Sequence, residues 1–263
     1  MNILYVGDIM GEVGVEVIEK VLPELCRDKK VDLVIAQAEN VTEGRGISVE
    51  DFRRLQKAGI DFFTGGNWTP YREEIFPLLK DPKEPIIEPA NMAEKTGLGW
   101  KKIDKNNQKV LIISLLGQIV GKDSDKPIDN PLLAIDKILK DKITTHHDVI
   151  IVNFHGDFSS EKVIIGHYLA GRVTAVIGDH WHVPTADARV LPKGTAHVTD
   201  VGMCGALNAS LGISFESVIP RWHDGQSTRN VLETTGPRQF NAVLVKTNSQ
   251  GLADSIEQIQ KTI

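Results

Sequence analysis

Residues that bind metal ions or move protons recur in this chain where apolar runs stop. They are Asp8, Glu39, Asn40, Asn67, His155, His180 and His182. Asp8 closes "NILYVGD", Glu39-Asn40 close "VDLVIAQAEN" and Asn67 follows two glycines in "GGNWTP". His155 lies in "DVIIVNFHGD", and His180-x-His182 lies in "VTAVIGDHWHVPTAD". Carboxylates, amides and imidazoles together suit a pair of divalent transition metals. Imidazole favours ions such as Fe, Zn or Mn, while a carboxylate adds charge and can bridge. Two such cations about 3.5–4 Å apart clamp a phosphoryl group and bring the pKa of a water near neutrality. Each residue alone has an ordinary reading: Asp8 as a helix cap, Glu39-Asn40 and Asn67 as turn residues, His155 as a hydrogen-bonded strand end. Convergence distinguishes the two readings, and convergence depends on the elements that carry the residues.

Those elements alternate. Buried strands are expected over 2–8, 31–40, 60–67, 108–119, 148–157 and from 173, where a strand leads into a histidine-rich loop by 187. Helical spacing of apolar residues marks 13–28, 48–59, 129–141 and 160–171, with Ser48 placed to cap, Pro131 in a first turn and Gly59 and Gly171 as stops. A last helix is expected over 251–262. The β-α-β rhythm predicts a parallel or mixed sheet with helices on its faces. Ligands of such sheets collect at the carboxyl ends of the strands, where the candidate residues lie. Residues 76–100 contain four prolines and read as a surface excursion. His146-His147 and His167 read as structural residues outside the site. With no repeat or linker, residues 1–263 read as a single domain.

Composition narrows the function. A formal net charge of −5 and no long basic run disfavour broad nucleic-acid binding, although metals can supply positive charge locally for a phosphate-bearing substrate. The two cysteines, Cys26 and Cys204, are far apart and outside any C-x-x-C pattern, which fits a reducing compartment. There is no signal-like start and no apolar run near membrane-spanning length, so a cytoplasmic protein is expected. A homo-oligomer is compatible with the sequence. "GDIMGEVG" lacks the G-x-G-x-x-G spacing of a dinucleotide fold.

The segments "GDIMG", "AEN", "GGN", "EPAN", "FHGDFSSEK" and "GDHWHVPTADARVLPKGTAHVTDVGMCG" occur in order over nearly the whole chain. Together they resemble the YmdB-like branch of the calcineurin-like metallophosphoesterases. The resemblance implies a four-layer α/β/β/α sandwich with a dinuclear metal centre, two divalent ions with iron or manganese favoured. It also implies hydrolysis of 2′,3′-cyclic and 3′,5′-cyclic nucleotides by attack of a metal-bound hydroxide. Carried onto this sequence, Asp8, Glu39, Asn40 and His182 would hold one metal, and Glu39, Asn67, His155 and His180 the other, with Glu39 as the bridge. The wider superfamily ends its first strand D-x-H. Here the residues are Asp8-Ile9-Met10, and Asn40 would fill the vacancy.

One departure bears on catalysis. After the Asn of the third strand the family pattern has a His, the expected general acid; here it is Trp68. An indole N–H donates a hydrogen bond but cannot deliver a proton at ordinary pH. Asp157 and Asp179 could replace the acid or simply orient the imidazoles. Glu88 stands where the family loop tends to carry Arg, which would remove a positive charge near the phosphate entrance. Asn40 and Asn91 are candidate substrate contacts, with a loop-shaping role as the alternative for Asn91. Trp68 and Trp181 could stack a base or pack on the loops. The expected function is a cyclic-nucleotide phosphodiesterase with an altered acid. The alternative is a metal- and nucleotide-binding regulatory protein that no longer turns over.

Overall fold

The computed structural model describes residues 1–121, 125–141 and 147–263. His146 lies outside them, and the neighbouring His147 is half-buried. The first sheet contains β1 (Asn2–Val6), β2 (Asp8–Ile9), β3 (Leu33–Gln37), β4 (Phe62–Thr64), β11 (Met203–Ala206), β12 (Arg238–Thr247) and β13 (Ala253–Thr262). Its order is β2-β11-β12-β1-β3-β4, with β13 also paired to β12. The second sheet contains β5 (Trp100–Lys105), β6 (Gln108–Leu116), β7 (Val149–His155), β8 (Ala175–Asp179), β9 (Arg189–Leu191) and β10 (Thr195–Val198), in the order β5-β6-β7-β8-β10-β9.

The strands that bear the site are parallel: β1 with β3, β3 with β4, and β6 through β8. Being covered on both faces, they read as continuous apolar runs rather than alternating ones. Ile3, Tyr5, Leu33 and Ile35 meet Ile112, Ile151, Ala175 and Ile177 between the two sheets. Helices α1 (Gly11–Lys29) and α2 (Val49–Lys57) pack on the outer face of the first sheet through Val17, Ile18, Leu22, Phe52 and Leu55. Ser48 caps α2 as expected, accepting the Asp51 N–H at 3.1 Å. Outside the second sheet lie α3 (Pro131–Lys140) and α4 (Ser159–Tyr168), packed through Ile135 and Ile165. The result is the expected α/β/β/α sandwich. Among the described residues, no helix is long and apolar enough to cross a membrane.

Two expectations fail. Residues 251–262 are not a helix; they contain the whole of β13, antiparallel to β12. Leu252, Ile256, Ile259 and Ile263 mimic helical spacing. However, β12 has only one edge on β1, and pairing with β13 satisfies the backbone groups of the other. The excursion at 76–100 is not wholly superficial. Ile86, Ile87, Glu88 and Asn91 are buried, and Ile87 N–H donates to Phe63 O at 3.1 Å beside β4.

Candidate metal centre

Five strand ends converge at one edge of the sandwich. Asp8 lies just past β1, Glu39 and Asn40 past β3, Asn67 past β4, His155 at the end of β7, and His180 and His182 past β8. Glycines allow the approach. A Cβ on Gly66 would collide with Glu39 Oε2 and His155 Nε2, so this position must be bare. His180 (φ 111°) and His182 (φ 62°) both have left-handed backbone, a conformation that costs of order 1–3 kcal/mol and recurs at functional sites.

The donors fall into two groups that share Glu39. In one, His155 Nε2 lies 3.0 Å from Glu39 Oε1, 3.2 Å from Asn67 Oδ1 and 2.8 Å from His180 Nδ1. Ligand atoms of Glu39, His155 and His180 all lie within 4.8 Å of one another. In the other, His182 Nε2 is 3.7 Å from Asp8 Oδ1, and the Asn40 amide nitrogen lies 3.3–3.4 Å from Asp8, Glu39 and His182. Here nitrogen, not oxygen, of Asn40 faces the group; a half-turn of the amide exchanges them.

Every imidazole is held from outside. His155 Nδ1 is 2.7 Å from Asp179 Oδ1, His180 Nε2 is 3.2 Å from Asp157 Oδ1, and His182 Nδ1 is 3.2 Å from Leu211 O. Carboxylates and carbonyls only accept, so the outer nitrogens carry the protons and the inner ones present lone pairs. Two imidazole lone pairs 2.8 Å apart, with a carboxylate and an amide oxygen beside them, repel unless a cation or proton lies between. The donor set therefore fits divalent metals. Such outer partners fix the ring orientation of metal-binding histidines.

The electrostatics point the same way. Burial pushes the Asp8 carboxyl well up, with Asp179 and Glu39 adding to it. Burial also pushes Glu39 up, but His155 and His180 outweigh it and bring it to about 2. Burial and His180 lower His182 to about 4, which keeps it a neutral donor at ordinary pH. Burial lowers His155, yet the Glu39 and Asp179 carboxylates raise it overall.

The residues whose roles were open now have positions. Asp179 accepts from Tyr5 Oη at 2.9 Å and Asn153 Nδ2 at 2.5 Å as well as facing His155, so it orients the ring. Burial raises Asp157, but bonds from His180 and Val120 N–H pull it below the usual carboxylate range, which does not suit an acid. Asn91, a candidate substrate contact, has both amide hydrogens engaged by Leu116 O and Asp129 O and accepts Leu116 N–H. It shapes its loop and has no donor left to offer. Glu88 is not at an entrance: it is buried and accepts Gly97 N–H. Trp181 packs on its loop, with Nε1 donating to Asp157 O at 3.0 Å and Lys162 Nζ 4.0 Å from its ring. Trp68 stands edge-on to Tyr71, with Arg45 4.7 Å from its ring.

Tyr5, Asn153, Lys162 and Asp200 were not singled out from the sequence. Lys162 and Asp200 form a fully buried pair at 2.8 Å, and Lys162 also donates to Asp179 O at 2.6 Å. The signals were present: Asn153 interrupts "VIIVNFH", and Lys162 shares the helical face of Ile165.

The family model of the YmdB-like protein matches residues 4–259. The chain is 33% identical over 258 residues to a 2′,3′-cyclic-nucleotide 2′-phosphodiesterase of Bacillus subtilis, covering 98% of this chain and 92% of that one. The crystal structure of a phosphatase from Mycoplasma pneumoniae superposes with a TM-score of 0.92 at 28% identity, covering 100% of this chain and 93% of that one. A hypothetical protein from Thermus thermophilus superposes with a TM-score of 0.90 at 33% identity, covering 100% and 99%. With its sequence and its fold matched end to end, the chain belongs to the YmdB-like family.

Proposed function

We propose that this protein is a dinuclear-metal phosphodiesterase that opens 2′,3′-cyclic nucleotides. The observation that carries the reading is the outward tethering of three imidazoles whose inner nitrogens converge with Asp8, Glu39 and Asn67. The Bacillus relative's name supplies the substrate class. Asp8, Asn40 and His182 would hold one ion, Asn67, His155 and His180 the other, and Glu39 both. When bound, the ions supply Lewis acidity to the phosphoryl group and to the attacking water.

The chain's own residues set the rest. Water adds to phosphorus, the bond to the 2′ oxygen breaks, that oxygen gains a proton, and the product is a nucleoside 3′-monophosphate. Trp68 cannot deliver this proton, and Asp157 is held too acidic to do so at neutral pH. With neither group supplying it, solvent serves as the proton source in this reading. Such a site favours substrates that need little acid assistance. A strained five-membered 2′,3′-cyclic phosphate qualifies, and an unstrained 3′,5′-cyclic phosphate does so less. A second reading, binding of cyclic nucleotides without turnover, is favoured by Trp68 alone.

Incubating manganese-loaded protein with 2′,3′-cyclic AMP and separating the products tests the proposal. The expected outcome is 3′-AMP, formed faster than any product from 3′,5′-cyclic AMP. Binding without product supports the second reading; neither binding nor product overturns both.

A further inference from the structure

Beside the metal centre lies a cavity of about 490 Å³ whose lining includes Asn67, one of the converging donors. Its volume is in the range of small-molecule sites. Met92, Ile119, Val120, Ile128 and Phe158 make its walls apolar. Gln118 and Glu94 stand among them as polar edges. One wall is tied to the metal donors themselves. Gly117 N–H donates to His155 O at 2.7 Å, and Asp157 accepts Val120 N–H at 2.7 Å through Oδ2 while its other oxygen faces His180. The cavity thus adjoins the converging donors at Asn67, and its wall is fixed to them by these bonds.

Resting on the phosphodiesterase reading, we infer that this cavity receives the nucleobase of the substrate. A base has two apolar faces and a hydrogen-bonding edge, which match apolar walls with a few polar groups. Phe158, 45% exposed, offers its ring as a stacking surface at the mouth. Base–aromatic stacking is sequence-tolerant, so purines should exceed pyrimidines by contact area rather than by a base code. The metal donors lie past the Asn67 end, where the cyclic phosphate must sit.

Two substrates that break the same bond separate this from the reaction itself: 2′,3′-cyclic AMP, and methyl riboside 2′,3′-cyclic phosphate, which has no base. Wild-type protein should prefer the adenine substrate by at least about tenfold in kcat/KM. Phe158→Ala, and Val120→Trp, which fills the cavity, should each bring that ratio towards one. Calorimetric binding of 2′,3′-cyclic AMP should weaken about tenfold in both variants, a readout that needs no turnover. If wild-type protein binds with that dependence but hydrolyses neither substrate, the reaction proposed above fails and the base site stands. If both variants keep the wild-type ratio and affinity, the base lies elsewhere and the inference is overturned.

Discussion

The backbone N–H of Trp68 donates to Oε2 of Glu39 at 2.8 Å. The loop thereby grips the carboxylate through its backbone, while the Trp68 side chain turns to Tyr71 and Arg45. On the proposed reading, position 68 keeps its place beside Glu39 and offers no proton donor. Trp68→His should therefore restore a proton donor without disturbing the centre. On 3′,5′-cyclic AMP, whose ribose alkoxide leaves poorly without a proton, kcat should rise by up to about 10²-fold. On bis-p-nitrophenyl phosphate, whose leaving group needs no proton, it should change by less than about threefold. Parallel steady-state assays of both substrates check this, and equal gains on the two would contradict it.

Gly66 faces Glu39 and His155 so closely that any Cβ must intrude between them. Gly66→Ala should reduce bound metal to a small fraction of wild type while leaving the far-ultraviolet circular dichroism unchanged. Metal content after desalting is the readout. A fully loaded variant would mean that the loop yields.

Asp179 holds His155 at 2.7 Å, and Tyr5 and Asn153 hold Asp179. Asp179→Asn keeps the shape and removes the charge that orients the ring. Metal affinity should fall by about 10–100-fold, measured by competition with a chromogenic chelator. Unchanged affinity would mean that the imidazole is positioned by packing alone.

Much of this centre was legible in the sequence because parallel strands buried on both faces are unbroken apolar runs, and their ends are marked by the polar residue that stops them. Asp8, Glu39, Asn67 and His155 were singled out in this way, and the fold brings them together. What holds the histidines was harder to read. Leu211 O anchors His182 from a loop distant in sequence, and Tyr5 is hidden as one more aromatic in an apolar strand. β13 was misread because edge pairing, not side-chain period, decides its conformation. For Asn91 the sequence left a substrate contact and a loop-shaping role open, and only its bonds to Leu116 and Asp129 favour the second.

Lys162 and Asp200 are buried together beneath Trp181. Lys162→Met would leave the Asp200 carboxylate uncompensated and should destabilise the fold by about 3–5 kcal/mol. Adding Asp200→Asn should recover part of that loss. Urea unfolding of the two variants and wild type gives the comparison. A single variant as stable as wild type would show that Asp200 takes up a proton or another partner instead.

The central claim is that Glu39 is shared by two ion sites. Its most direct test is elemental analysis of protein stripped with chelator, reloaded with manganese or iron, and desalted. Wild type should carry about two ions per chain, falling towards zero in Glu39→Gln because both sites lose their common ligand. A wild-type ratio near zero, or a Glu39→Gln variant that keeps its full complement, would contradict it.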